Sequence, residues 1–257
     1  MRFSNNQRQN NQRQVQGFTL IELLIAVTLG TALLTMVFGL FYSTKRTEQL
    51  NSASVELQAS ARNIFHLVRH SVEHAGYTTV VTSSQAKSQV FTATDKFAAG
   101  QVLRLADLAG QQTLLVRLQG DDQQPLRACS GSTIAPSNST NPWVHYEFAL
   151  ANDQLNCRVF DAAGQQLEQL VIGTNIARFD VRLFTSNASG TQTQTNQSLA
   201  QTALAEGAQL QLIIKSERPV RAQVSDKTYS ANGFADFQVS DQHLYHQISH
   251  YFIAQNR

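Results

Sequence analysis

From residue 18 to residue 42 the chain is apolar at almost every position, with Glu22 as the only charge. A run with no polar face reads as a helix that is hydrophobic all round. At about 1.5 Å per residue it is roughly 37 Å long, enough to cross a bilayer with some tilt. Beyond it the pattern becomes periodic. From Leu50 onward Ala53, Leu57, Ala61, Ile64, Val68, Val72 and Ala75 recur every three or four residues and form one stripe for burial. Gly76 follows in the position of a helix stop. One long helix over 18–75 is expected, its first half in lipid and its second half packed under the remainder of the chain.

After Gly76 the hydrophobic period shortens to two. Strands are expected at 102–105, 113–118, 144–150, 155–160, 167–172, 177–184, 209–216 and 244–253. Alternation is clearest where Phe179, Val181 and Leu183 share one face and Arg178, Asp180 and Arg182 the other. The polar stretches 136–142 and 186–201 read as exposed loops, with a short helix expected near 198–206. No internal repeat is visible. The fold class is therefore α+β, a long N-terminal helix under a β-rich head.

Composition narrows the function classes. The formal charge is +2, and residues 1–16 carry Arg2, Arg8 and Arg13 with no acid, so the chain without them is nearly neutral. That argues against a strongly electrostatic nucleic-acid surface, and no direct nucleic-acid binding is expected. About 215 residues beyond the apolar run allow one fairly large domain or two small ones. Four prolines and no block of like charge argue against long disordered segments.

The first 16 residues are polar, basic and rich in Asn and Gln, as a cytoplasmic leader would be. A secretory signal would carry its small residues after a shorter apolar core. Here Gly17 comes before the core, so a cut between Gly17 and Phe18 would remove the leader and keep the helix. Gly17, Phe18 and Glu22 resemble the class III signal of type IV pilins and type II secretion pseudopilins. The resemblance implies a prepilin peptidase that cleaves after Gly17 and methylates the new amine of Phe18. It also implies that Glu22, the fifth residue after the cut, pairs with the amine of a neighbouring subunit during assembly. The corresponding organisation is a cleaved leader over 1–17, a transmembrane helix over 18–42, an amphipathic continuation over 43–76 and a periplasmic or extracellular head over 77–257. Gly30 and Gly39 weaken the helix by about 1 kcal/mol each relative to Ala. Either local loosening or close helix packing in the membrane accounts for them.

The head resembles the PilW group of large minor pilins in patches. These are His74-Ala75-Gly76-Tyr77 at the helix end, Leu114-Leu115-Val116-Arg117-Leu118 followed by Cys129-Ser130-Gly131, Leu155-Asn156-Cys157 before Gln169-Leu170-Val171, and the terminal Gln255-Asn256-Arg257. Residues 91–110 and the Thr/Gln-rich loop match nothing in that group.

Two cysteines occur, Cys129 and Cys157. Both fall on the export side, where an oxidising compartment favours one disulfide; two free buried thiols are the alternative. His66, His70 and His74 stand at i, i+4 and i+8. Adjacent imidazoles at that spacing can share a metal, but three of them span about 12 Å and one ion reaches two at most. A polar helix face accounts for the same residues, and no metal or cofactor is expected. His243, His246 and His250 would be spread along an extended strand. Asp121 and Asp122 read as turn residues. There is no Gly-x-Ser-x-Gly elbow, no phosphate-binding glycine loop and no His-Glu-x-x-His, so neither an enzyme nor a small-molecule substrate is expected.

The resemblance implies a minor type IV pilin that primes pilus assembly and so supports twitching motility, attachment and DNA uptake. Its expected partners are the prepilin peptidase, other minor pilins, the major pilin and the inner membrane, with later residence in the pilus. The alternatives are a J-class minor pseudopilin of a type II secretion system and a pilus-borne adhesin.

Overall fold

The computed structural model describes residues 19–78, 87–108, 111–120, 125–134, 143–187, 190–194, 205–221 and 223–254. The chain divides into two compact units, 1–48 and 49–257, and helix α1 (Leu20–Glu73) belongs to both.

Within the first unit the apolar side chains of α1 face outward all round; Leu20, Leu33, Phe38 and Tyr42 are all strongly exposed. Its few hydroxyls bond back into the helix. Thr28, Thr31, Thr35 and Thr44 donate to the carbonyls of Ile25, Thr28, Thr31 and Leu40 at 2.8–2.9 Å. These four hydroxyls then need no water, as a helix in hydrocarbon requires. By length and composition α1 is sufficient to cross a membrane.

In the second unit α1 becomes one-sided. Leu57, Ala61, Ile64, Phe65, Val68, Ser71 and Val72 are buried, the three-to-four spacing that puts them on one stripe. The stripe shares its core with two antiparallel sheets. The first has five strands in sequence order: β1 (Leu103–Leu108), β2 (Gln111–Gln119), β3 (Trp143–Ala151), β4 (Gln154–Asp161) and β5 (Gln166–Gly173). The second is ordered β11-β8-β6-β7, from β6 (Ile176–Asn187), β7 (Gly190–Gln194), β8 (Gly207–Lys215) and β11 (Tyr245–Ile253). A separate hairpin pairs β9 (Ser225–Tyr229) with β10 (Phe237–Asp241). Phe65 meets Phe252 of β11 edge to face, with centroids 5.7 Å apart. At Gly173 a Cβ would run into the Ile64 side chain, so the end of β5 lies closely against α1.

The helix ends at Glu73, and Gly76 takes a φ of 75° as the chain turns out. The emerging backbone then docks on β2: Gly76 N–H donates to Arg117 O at 2.9 Å and Gln119 N–H to Tyr77 O at 3.0 Å.

The expected strands all appear, with ends shifted by up to three residues. Three further strands, β7, β9 and β10, were not expected. The polar segment expected as a loop at 186–201 contains β7, which pairs with the far end of β6 in a hairpin from Leu183↔Gln194 to Asn187↔Gly190. Its Gly-Thr-Gln-Thr-Gln sequence has no apolar alternation and forms a strand by extending a neighbour's edge. The short helix expected near 198–206 lies mostly outside the described residues; residues 205 and 206 carry no helix and lead into β8.

On β3 both faces are buried. Val144, Tyr146 and Phe148 belong to the helix-facing core, whereas His145 and Glu147 point to the other side. There the segment after the short helix α2 (Lys87–Val90) straps across the sheet. Arg117 of β2 is fully buried under it, donating from Nη2 to Thr92 O at 2.8 Å with its guanidinium over Phe91, Phe97 and Trp143. Burial lowers its pKa to about 10, so it stays charged at neutral pH, held by cation–π contact. Glu147, 1% exposed, is met by Lys96 at 2.7 Å, Arg158 at 3.1 Å and His145 at 3.5 Å. Burial alone would raise its carboxyl. Hydrogen bonding from His145 and Lys96 and the charges of Lys96 and Arg158 outweigh that and hold it at about 2.

A carboxyl depressed in the folded state contributes stability above its unfolded pKa and loses it as pH falls toward the folded value. Between about pH 4.5 and 2 the head is therefore expected to lose on the order of 3 kcal/mol through this one group. Glu147→Gln should show the deficit already at neutral pH, with a flatter acid limb. Trp143, the only tryptophan and nearly fully buried, reports the unfolding by fluorescence in urea. Superimposable acid limbs in the two proteins would remove Glu147 from this role.

Candidate functional site

The start of α1 is built by Thr19 and Glu22. Thr19 donates from its backbone nitrogen and from Oγ1 to Glu22 Oε2, at 3.3 and 3.2 Å, and Glu22 N–H donates back to Thr19 Oγ1 at 3.3 Å. This is a capping box: Thr19 satisfies an orphan amide of the first turn and Glu22 returns the bond. The acid also sits at the positive end of the helix dipole. Among the described residues only Oε2 is engaged, so Oε1 is left for a further donor. Threonine three residues before the acid is a sequence signal for this cap, and the reading of Glu22 through its charge alone overlooked it. Gly17 and Phe18 lie outside the described residues. A Cβ on Gly30 or Gly39 would meet nothing, so no contact within the chain requires either glycine.

Cys129 and Cys157 form a disulfide with Cα atoms 6.2 Å apart. It ties the turn around Gly131 to the buried face of β4, and both sulfurs belong to the head core. The turn is also held by Ala128 N–H to Ser132 O at 2.7 Å and Ile134 N–H to Leu126 O at 2.8 Å, with Tyr146 OH donating to Arg127 O.

Apart from His145 on β3, the histidines separate into two groups. His66, His70 and His74 face one recess beside this turn. Burial first, then the neighbouring His74 and His66, lower the pKa of His70. His246 and His250 lie along β11, and His243 precedes it with Nδ1 2.7 Å from Ser216 O, which spreads them as the extended strand requires. Among the described residues no group of three or more His, Cys, Asp or Glu side chains converges as a metal cage. Asp121 and Asp122 lie outside the described residues.

An acid caps the first turn of an exposed apolar helix, and the sequence before it is polar and basic. Residues 12–38 match the prokaryotic N-terminal methylation motif. The matched residues include Gly17, Phe18, Thr19 and Glu22 and run into the apolar helix. No curated protein matches the chain. Among solved structures, a type IV-like pilin from Thermus thermophilus is similar at 11% identity over 79% of this chain and 97% of its own, with a TM-score of 0.49.

Proposed function

We propose that this chain is a minor type IV pilin of the PilW kind. The observation that carries the reading is the methylation motif at 12–38 set on a helix that is capped by Glu22 and exposes apolar side chains all round. On this reading a prepilin peptidase removes 1–17 and methylates Phe18. Residues 18–42 anchor the chain in the inner membrane, 43–76 continue the helix under the head, and 77–257 form the head on the periplasmic side. Withdrawal of the helix from the bilayer into a filament replaces lipid by neighbouring pilin helices around the same apolar surface. Gly30 and Gly39 give those helices room for close approach. The head meets other minor pilins and serves a complex that primes assembly, and the chain has no catalytic role.

A clean deletion scored in parallel for surface pili, twitching and type II exoprotein release tests the reading. Loss of pili and twitching with secretion intact is the expected result. Lost secretion with normal pili would move the chain to a pseudopilus. Normal pili with lost attachment would make it a carried adhesin.

A further inference from the structure

The recess beside the disulfide turn has a volume of about 510 Å³, and its titratable lining is His66, His70, His74, Tyr77, Arg127 and Tyr146. No carboxylate is among these groups, so every charge they carry near neutral pH is positive. The acids around the recess are engaged elsewhere: Glu73 is bound by Arg69 at 2.8 Å, and Glu168 accepts from Ser130 N–H at 3.3 Å. Arg127 donates from Nη1 to Gly131 O at 3.1 Å and forms no ion pair among the described residues, which leaves most of its five donors available. His70 and His74 are stacked, with centroids 4.2 Å apart, and His74 Nδ1 lies 2.9 Å from His70 O. A carbonyl only accepts, so Nδ1 of His74 carries a proton and a second proton would go on Nε2. Two positive rings so close repel one another. Burial first, then the charges of His74 and His66, lower the pKa of His70; Glu73 opposes this and Arg127 adds to it. An anion in the recess reverses that repulsion. It is met by Arg127 throughout and by the imidazoles as they take up protons.

We propose that this recess binds an organic carboxylate with an apolar body, Arg127 supplying the fixed charge and His66, His70 and His74 a proton-linked one. A single guanidinium with free donors matches a carboxylate, which it can meet with two parallel hydrogen bonds. Leu67, Leu118 and Leu126 also line the recess, and its volume falls in the range that takes small organic ligands. A bare inorganic ion would leave those leucines in contact with water and is the weaker ligand. The carboxylate can belong to a free acid or to the end of a peptide chain. The site stands on the head alone and does not depend on the pilin reading.

Calorimetric titration of the full chain in non-ionic detergent tests the site. The probes are 3-phenylpropionate for a free acid, N-acetylphenylalanine for a chain terminus and 3-phenylpropanamide as the uncharged relative. One equivalent of at least one acid is expected to bind, more tightly at about pH 6 than at about pH 8 and with proton uptake. The tighter of the two acids identifies the source. The amide, and either acid on Arg127→Gln, should bind about tenfold or more weakly, whereas His246→Gln should leave binding unchanged. In the unmodified chain, labelled at histidine nitrogen, saturating acid should make the imidazoles of His66, His70 and His74 titrate at higher pH and leave those of His243, His246 and His250 unmoved. That readout needs no variant to fold. Failure of both acids to bind, equal binding of the amide, affinity independent of pH, or unmoved titration of the three helix histidines would each overturn the proposal.

Discussion

Glu22→Ala is expected to leave the chain cleaved after Gly17, methylated on Phe18 and inserted in the membrane, yet missing from sheared filaments. Two effects of Glu22 have to be separated to read that result. The first is the cap: Thr19 and Glu22 satisfy one another at the start of α1, and loss of the cap costs about 1 kcal/mol. The second is charge pairing. In an apolar filament core the amine of a neighbouring Phe18 needs a carboxylate, and an ion left without its partner there costs about 3–5 kcal/mol, a hundredfold or more in assembly. On the pairing account that amine would bind Oε1, which the cap does not use. Glu22→Gln divides the two effects, because a glutamine still closes a capping box but carries no charge. Pairing predicts that the Gln variant is excluded from filaments nearly as strongly as the Ala variant. Incorporation of the Gln variant at the level of the unmodified chain would reduce Glu22 to a helix cap, and incorporation of the Ala variant would remove it from assembly altogether. Mass spectrometry of membrane and sheared fractions, reading both the N-terminus and the amount, gives the answer.

The parts of the fold legible in the sequence are those where one residue type repeats with the period of its element. The α1 stripe from Leu57 to Val72 and the strand pattern at Phe179, Val181 and Leu183 are local signals that the core then uses. The strands β7, β9 and β10 were not legible, because Gly-Thr-Gln-Thr-Gln, Ser-Asp-Lys-Thr-Tyr and Phe-Gln-Val-Ser-Asp have no strong alternation. They are strands because neighbours supply hydrogen bonds and contacts. The β9–β10 hairpin is pinned by Arg178 donating to Ala235 O and Gln209 donating to Asn232 O, both at 2.9 Å. The order β11-β8-β6-β7 likewise depends on long-range pairing that no local pattern encodes. Arg117 and Glu147 are the sharpest case. In a strand pattern they read as solvent-facing alternates, and they are buried because the segment around Phe91 and Phe97 folds over that face. At the candidate site the motif was legible from Gly17, Phe18 and Glu22.

Removal of the disulfide is expected to destabilise the head by about 3–4 kcal/mol on the chain-entropy account, for a bond between residues 28 apart in sequence. The closed loop contains all of β3 and the first part of β4, so the constraint acts on the centre of the five-stranded sheet. Its anchor on β4 cannot shift freely: Cys157 is fully buried, paired in register with Phe148 on one side and Leu170 on the other. The turn at 128–132 is the less deeply held partner: besides the disulfide it has a few backbone bonds, the Tyr146 hydroxyl and largely exposed bonds from Arg127 to Gly131 O and from Ser130 N–H to Glu168. Cys129→Ala with Cys157→Ala should therefore lower the urea midpoint followed at Trp143, and should open the 128–132 backbone to hydrogen exchange before β4 is affected. Alanine is the better replacement, since serine would bury a hydroxyl in the same core. An unchanged midpoint would mean that the native bond adds as much strain as it removes chain entropy. A lowered midpoint with the turn and β4 exchanging together would make the bond a support of the whole sheet and not a local staple of the turn.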